Sequence, residues 1–390
     1  MRHLVSSDIP DIALGSSLLG AGGGGDPYVG GLIARQALDK AGSVELYDAD
    51  EVPDEWLVAT IGGVGAPSVL AEKGINGCEI TNLLAAQEEQ LGRKLDAIVL
   101  SEIGGMNSVI PVAAAAIAGI PLVNVDGMGR AFPGLQQDSY NIAGVHTWPM
   151  AFADEKGNVA MLTTVDNDWM ENLGRATVDA MGGQGIALGQ FMSGETMKRA
   201  AVRDSLTKAK FIGETIRSIK QIASDEGYSS PRAALFDKIG AVGLIEAKIC
   251  DVTRETRGGF NFGRAQLDGI RGSRGHTGAI EFQNENLIAY LDGEPVATTP
   301  DLICLVDCDT FIPVTTESLK YGKRVIMLVL PCDPVWRTQA GIDLAGPRWF
   351  GYDLDYIPYE QIRSVLASRA MPAAAGRDCN AEHVNNRKGM

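Results

Sequence analysis

Ala97-Ile98-Val99-Leu100-Ser101-Glu102-Ile103-Gly104-Gly105-Met106-Asn107, followed about twenty residues on by Pro121-Leu122-Val123-Asn124-Val125-Asp126-Gly127-Met128-Gly129-Arg130-Ala131-Phe132-Pro133, decides the fold. In each stretch an apolar, partly β-branched run ends in a polar, glycine-rich cluster, and a small-residue helix candidate lies between them. That order is a βαβ unit. Its right-handed crossover makes the strands parallel and brings both carboxyl ends to one sheet edge, where open α/β proteins bind ligands. Glu102, Asn107, Asp126 and Arg130 are therefore expected to converge on a site. On the blander alternative the glycines only make tight turns, and the charges are solvated or cap helices.

The surrounding chain extends the same pattern. Residues 8–19 read as a helix, and the run Gly20-Ala21-Gly22-Gly23-Gly24-Gly25-Asp26-Pro27 as a loop that cannot stay helical. A helix over about 28–40, strands at 44–47 and 57–61, a turn at 62–67 and a helix near 79–92 follow. Residues 1–170 thus predict an alternating α/β domain with a mainly parallel sheet. Val202, Leu206, Ala209, Ile216 and Ile219 recur at helical spacing, predicting one amphipathic helix over 196–222 inside a helical connector at 171–239. After Gly240 the character changes to short β-prone segments, which predicts a β-rich domain over 240–366. Residues 367–390 lack periodicity and read as a disordered tail.

Composition narrows the function class. At 390 residues the chain is long enough for two domains, and its 47 glycines demand many turns. A net charge of -15 with no Lys/Arg run argues against a nucleic-acid partner. The longest apolar runs fall short of a membrane span, and no secretory signal interrupts the N-terminal pattern, so a cytoplasmic protein is expected. Six scattered cysteines fit reduced thiols better than a disulfide scaffold.

Other motifs leave several chemistries open. Gly20, Gly22 and Gly25 match G-x-G-x-x-G, but a helix and not a strand precedes them, so the dinucleotide reading is weak. The loop formed by Gly22, Gly23, Gly24 and Gly25 could instead be a backbone nest for an anion, or a hinge. His276 in Gly275-His276-Thr277 and Cys308 beside Asp307 make a site for zinc or another divalent metal conceivable, although no HExxH or CxxC is present. No G-x-S-x-G elbow follows a strand. Cys78 could be an activated thiolate but is more often structural in such a setting. Asn284 and Glu285, in Gln283-Asn284-Glu285-Asn286, form a polar cluster beside a strand that a polar ring substrate could satisfy.

Taken together, these motifs resemble the S-methyl thiohydantoin desulfurase family, which is sometimes found beside hydantoinase/oxoprolinase proteins. The likeness spans most of the chain. It is carried by Gly20 to Pro27, Glu102-Ile103-Gly104-Gly105-Met106-Asn107, Phe282-Gln283-Asn284-Glu285, Thr299-Pro300-Asp301-Leu302, Trp336-Arg337-Thr338 and Gly346-Pro347-Arg348-Trp349-Phe350-Gly351-Tyr352. Asp126-Gly127-Met128-Gly129-Arg130-Ala131-Phe132-Pro133 is its most specific part. Asn124, where the family often has aspartate, and Gly134, where it often has glutamate, depart from the pattern.

The resemblance implies a three-layer α/β N-terminal domain joined to a β-barrel-like C-terminal domain. It also implies small cyclic ureides or thioureides as substrates, as met in ergothioneine breakdown. The implied reaction is hydrolytic displacement at ring carbon C2, releasing sulfide or a thiol. Glu102 or Asp126 would be the base, Arg130 a charge partner, Asn107 an orienter of the ring amide, and the glycine nest, Arg337 or Arg348 a carboxylate holder. A homo-oligomer is possible. The alternative is an accessory or catalytic subunit with a hydantoinase-type partner.

Overall fold

The computed structural model describes residues 2–65, 69 and 77–368. The tail expected over 367–390 lies almost wholly outside the described residues; of the turn expected at 62–67, residues 62–65 instead continue the strand that begins at Leu57, because they pair with 184–187, and 66–67 lie outside the described residues. The first half contains β1 (Arg2–Leu4), α1 (Ile9–Leu19), α2 (Pro27–Ala41), β2 (Val44–Tyr47), β3 (Leu57–Gly65), α3 (Cys78–Leu91), β4 (Ala97–Leu100), α4 (Ile110–Ala118), β5 (Leu122–Val123) and β6 (Val125–Asp126). After these come α5 (Ser139–Ile142), β7 (Met150–Ala153), β8 (Val159–Leu162), α6 (Asn167–Ala180), β9 (Gln184–Ser193), α7 (Gly194–Ala200), β10 (Val202–Arg203), α8 (Ser205–Asp225) and α9 (Pro231–Ile239).

An eight-stranded sheet runs in the order β1-β2-β5-β4-β3-β9-β7-β8. Its parallel part is β2-β5-β4-β3, and the opening βαβ unit supplies the β4–β5 pair, Ile98 opposite Leu122. Alternate residues of these strands enter different cores: Ile98, Leu100 and Leu122 pack with α1, α2, α4 and α8, whereas Ala97, Val99 and Val123 pack with Tyr140, Met197 and Ala200. Burial on both faces makes the three layers.

Two readings of the sequence are revised. The stretch 171–239 is more than helical, because β9 contributes a ten-residue strand next to β3. The single helix expected over 196–222 is two, α7 and α8, with β10 between them. Val202 and Arg203 pair with Asp126 and Val125, and Asp204 turns the chain with a positive φ of 62°. Backbone pairing thus overrides the amphipathic period. Asn124 then accepts the Leu206 and Thr207 N–H groups at the start of α8, at 3.0 and 3.2 Å.

The C-terminal half is a seven-stranded antiparallel sheet that curls into a half-barrel, as the β-rich, barrel-like expectation requires. Its strands are β11 (Val242–Arg257), β12 (Phe260–Gly269), β13 (Thr277–Gln283), β14 (Glu285–Leu291), β15 (Glu294–Thr298), β16 (Leu302–Asp307) and β17 (Arg324–Leu330), in the order β15-β14-β13-β12-β11-β17-β16. Ile280 and Phe282 alternate with half-buried Glu281 and Gln283 along β13 and pack into the core of this half. No helix of the described residues is long and apolar enough to cross a membrane.

Candidate active site

Glu102 sits just beyond β4, where the polypeptide leaves the sheet edge. Ser101 carbonyl accepts the Gly127 N–H at 3.0 Å, so the two strand ends of the βαβ unit are tied together. The Glu102 side chain is buried, accepting from Asn107 Nδ2 at 2.5 Å and from the Phe132 N–H at 3.3 Å. Asn107 is itself held by Gly63, whose N–H donates to Oδ1 at 2.6 Å. Its amide thus holds Glu102 and the Gly63 backbone while the residue itself lines the cleft.

A second buried carboxylate, Glu285, arrives from the other sheet at the start of β14. The glycine loop lies between the two halves, and its carbonyls join them. Gly24 accepts from the Met106 N–H at 2.9 Å, Ala21 from the Asn286 N–H at 2.8 Å and Gly22 from the Thr316 N–H at 2.8 Å. Gly23 is required here because a Cβ would stand 1.9 Å from Glu285 Oε1. The loop is a seam that lets backbone and carboxylate approach closely; three of its carbonyls face N–H donors, while the Gly24 N–H is turned to the Glu285 carboxylate. Gly24 and Gly25 line the cleft, whereas Gly22 and Gly23 are buried in the seam.

Both carboxyl groups are made weak acids. Burial pushes Glu102 well above the usual range, and the Glu285 charge pushes it further, against the Asn107 and Phe132 hydrogen bonds. Burial lifts Glu285 to about 8, opposed by the Arg130 charge and the Gly24 N–H. Glu285 Oε2 has no hydrogen-bond partner. Two such groups facing one cleft hold at least one proton between them near neutral pH.

The cleft encloses about 880 Å³ including its open mouth, the range of a small-molecule site. Glu102, Asn107, Asn284 and Glu285 line it together with Thr60, Ser101, Asp138, Arg175 and Gln190. Asn284, at a positive φ of 58°, makes the corner between β13 and β14, and its Oδ1 accepts the Asn261 N–H at 2.9 Å. Asp138, Gln190 and Thr60 were not singled out by sequence. The only hint was the polar cluster Gln136-Gln137-Asp138 just beyond the Asp126–Pro133 motif, and their meeting depends on β9.

The other expected site residues take different work. Asp126 is buried, and its Oδ2 accepts from the N–H groups of Ile103, Met128 and Gly129 at 2.9, 3.1 and 2.7 Å while Ser205 donates to Oδ1. It does not line the cleft; it ties the two loops together and anchors α8. Arg130 is fully buried and donates to the carbonyls of Ala131, Pro300 and Asp301 at 2.9, 2.6 and 3.0 Å, over the Phe132 ring. It joins the two halves, its Nη2 has no hydrogen-bond partner, and it is not among the residues that line the cleft.

His276 pairs with Asp292 at 2.7 Å and Cys308 is buried, its thiol pushed up to about 12 by burial and the Glu246 charge. Neither lines the cleft, and among the described residues no group of three or more His, Cys, Asp or Glu side chains could hold a metal. The residues proposed for zinc therefore do not fit one. Arg337 pairs with Glu360 and Asp301, and Arg348 with Asp353 and Asp355. Arg337, Arg348 and Cys78 all lie outside the cleft lining. Of the two departures, Gly134 is in the cleft wall and Asn124 is at the α8 cap.

Residues 7–164 match the description "S-Me-THD-like, N-terminal domain", and residues 165–359 match "S-Me-THD-like, C-terminal domain". The chain belongs to the S-Me-THD-like family. The family name is consistent with a thiohydantoin desulfurase and suggests an enzyme acting on S-methyl thiohydantoin. An X-ray crystal structure of a protein from Chromobacterium violaceum is similar in fold, with a TM-score of 0.73 and 22% identity over 92% of this chain and 100% of that one. No curated protein matches this chain.

Proposed function

We propose that this S-Me-THD-like chain hydrolyses the C2–sulfur bond of S-methyl thiohydantoin or the parent thiohydantoin, with Glu102 and Glu285 as a shared acid–base pair. The observation that carries the reading is that these two buried carboxyl groups, one from each sheet, face the same small-molecule cleft. Burial raises both groups and the Glu285 charge raises Glu102 further, so the pair holds one shared proton; in the reactive form the charge sits on Glu102, where two N–H groups donate to it, and Glu102 is then the base. Glu285, lifted to about 8 with a free Oε2, keeps its proton near neutrality and is the acid.

In the S-methyl substrate, C2 carries the methylthio group and a double bond to a ring nitrogen. Water adds to C2 as Glu102 takes one of its protons and Glu285 protonates the nitrogen. The tetrahedral adduct then collapses. Glu285 takes the remaining hydroxyl proton, the C2–S bond breaks, and Glu102 returns its proton to the departing sulfur. A hydantoin and methanethiol are the products; with unmethylated thiohydantoin the products are a hydantoin and hydrogen sulfide. Both carboxyl groups end as they began, so a turnover needs no proton from outside the pair.

The test is thiol or sulfide release by the purified full chain given S-methyl thiohydantoin or thiohydantoin. Release is expected, with kcat/KM falling above pH 8 as the Glu285 proton is lost. A folded chain that releases neither would overturn the proposal.

A further inference from the structure

Strand β9 is irregular where it passes the cleft. Val58 pairs with Met192 and Thr60 with Gly189, so Ala59 alone stands opposite both Gln190 and Phe191. That is a β-bulge, and Gln190 adopts a positive φ of 52°, a conformation that favours glycine. The bulge has a definite consequence. Ala187 and Gly189 line the cleft, and Leu188 points into the opposite core, so regular alternation would send Gln190 away with Leu188. With the extra residue, Gln190 lines the cleft as well.

Its amide is fixed from both ends. Thr60 Oγ1 donates to Gln190 Oε1 at 3.0 Å, and Gln190 Nε2 donates to Asp138. Asp138 is held in turn by the Asn141 N–H at 2.7 Å, and Thr60, Asp138 and Gln190 are all buried. An amide has two N–H donors and two acceptor lone pairs, and these bonds use one of each. A donor and an acceptor remain on a rigid group in the cleft wall, beside a carboxyl group with unused lone pairs. That pattern complements a ring edge carrying adjacent N–H and C=O groups.

We propose that Gln190 and Asp138 form a specificity subsite that reads the N–H/C=O edge of a cyclic ureide ring and presents C2 to the carboxyl pair. The proposal rests on the cyclic ureide reading above but not on the desulfurisation step. Strain at Gln190 is kept because a relaxed backbone would withdraw the amide from the cleft.

The experiment is calorimetric titration of the full chain with hydantoin, 1-methylhydantoin and 3-methylhydantoin. Hydantoin is expected to bind, and at least one N-methyl analogue to bind about tenfold more weakly because it lacks a ring donor. Gln190→Gly suits the positive φ, so it should fold, and it should lose that discrimination. Gln190→Asn, which also tolerates this conformation, serves if the glycine variant does not fold, and the same loss is expected. Where turnover is measurable, either variant should raise KM about tenfold with kcat changed much less. Failure of hydantoin to bind the parent chain, or unchanged discrimination in a folded variant, overturns the subsite. Binding and discrimination without any thiol or sulfide release would overturn the desulfurase reading and leave the subsite standing.

Discussion

The loops after β4 and around β6 begin alike and end differently. Each follows a strand of the same βαβ unit, each is rich in glycine, and each carries a buried carboxylate. Asp126 is surrounded by donors from its own loop, from Ile103 and from Ser205, so both its oxygens are engaged, and it does not line the cleft. Glu102 receives two donors and shares the cleft with another carboxyl group. A buried carboxylate with both oxygens engaged by scaffold donors ties loops together, whereas one set against a like charge in an open cavity has the setting that the proposed proton transfer needs. The more specific motif thus marks the loop that builds the cleft, while the less specific one carries the carboxylate that lines it.

The largest expected effect separates the two carboxylates. Glu102→Gln should lower kcat/KM for thiol or sulfide release by about a hundredfold or more, with little change in unfolding midpoint. Asp126→Asn should do the reverse, destabilising the fold by about 2–4 kcal/mol in urea unfolding while turnover per folded molecule changes only a few-fold. If both variants lose activity at full stability, the distinction between the loops collapses.

A smaller effect concerns Glu285. Its folded value of about 8 exceeds the ordinary 4.5, so the native state holds this proton longer than the unfolded chain does. The associated stability is complete below pH 4.5 and is lost as pH rises through about 8. Glu285→Gln removes that dependence. Thermal melts should show the variant gaining on the parent chain steadily from pH 5 to 8; parallel melting curves across this range would mean that Glu285 is not a buried weak acid.

The smallest effect lies outside the cleft, at Asn124. Its Nδ2 donates to Asp48 and Asp204 at 3.2 and 3.3 Å, so Asn124→Asp would set its new carboxylate against these two while still accepting the α8 N–H groups. A loss of about 1 kcal/mol at pH 7, with unchanged KM, is expected. A large KM change would bring this position into the site after all.

Much of the architecture was legible in the residues. Strand β2 and the ends of α1 and α2 follow from apolar period and from the glycine run that stops α1. The β-rich half was legible as segments but not as long strands, because pairing carries β11 through the exposed residues 251–257 that propensity alone does not claim. The break between α7 and α8 was invisible for a related reason, since two residues of strand pair with β6 from more than seventy positions away. Within the site, Glu102 and Glu285 could be named from strand-end position, whereas Gln190 could not, because a bulge has no local composition mark when its left-handed residue is not glycine.

Sequence by itself determined the βαβ unit, the strand ends that carry Glu102 and Asp126, and the glycine loop, since period and backbone freedom act over a few neighbouring residues. Tertiary structure alone decided which carboxylate is spent and which faces the cleft. That choice depends on desolvation, on donors contributed by Ser205, Asn107 and Phe132 and on the charge of the distant Glu285, and no local pattern encodes where those groups arrive.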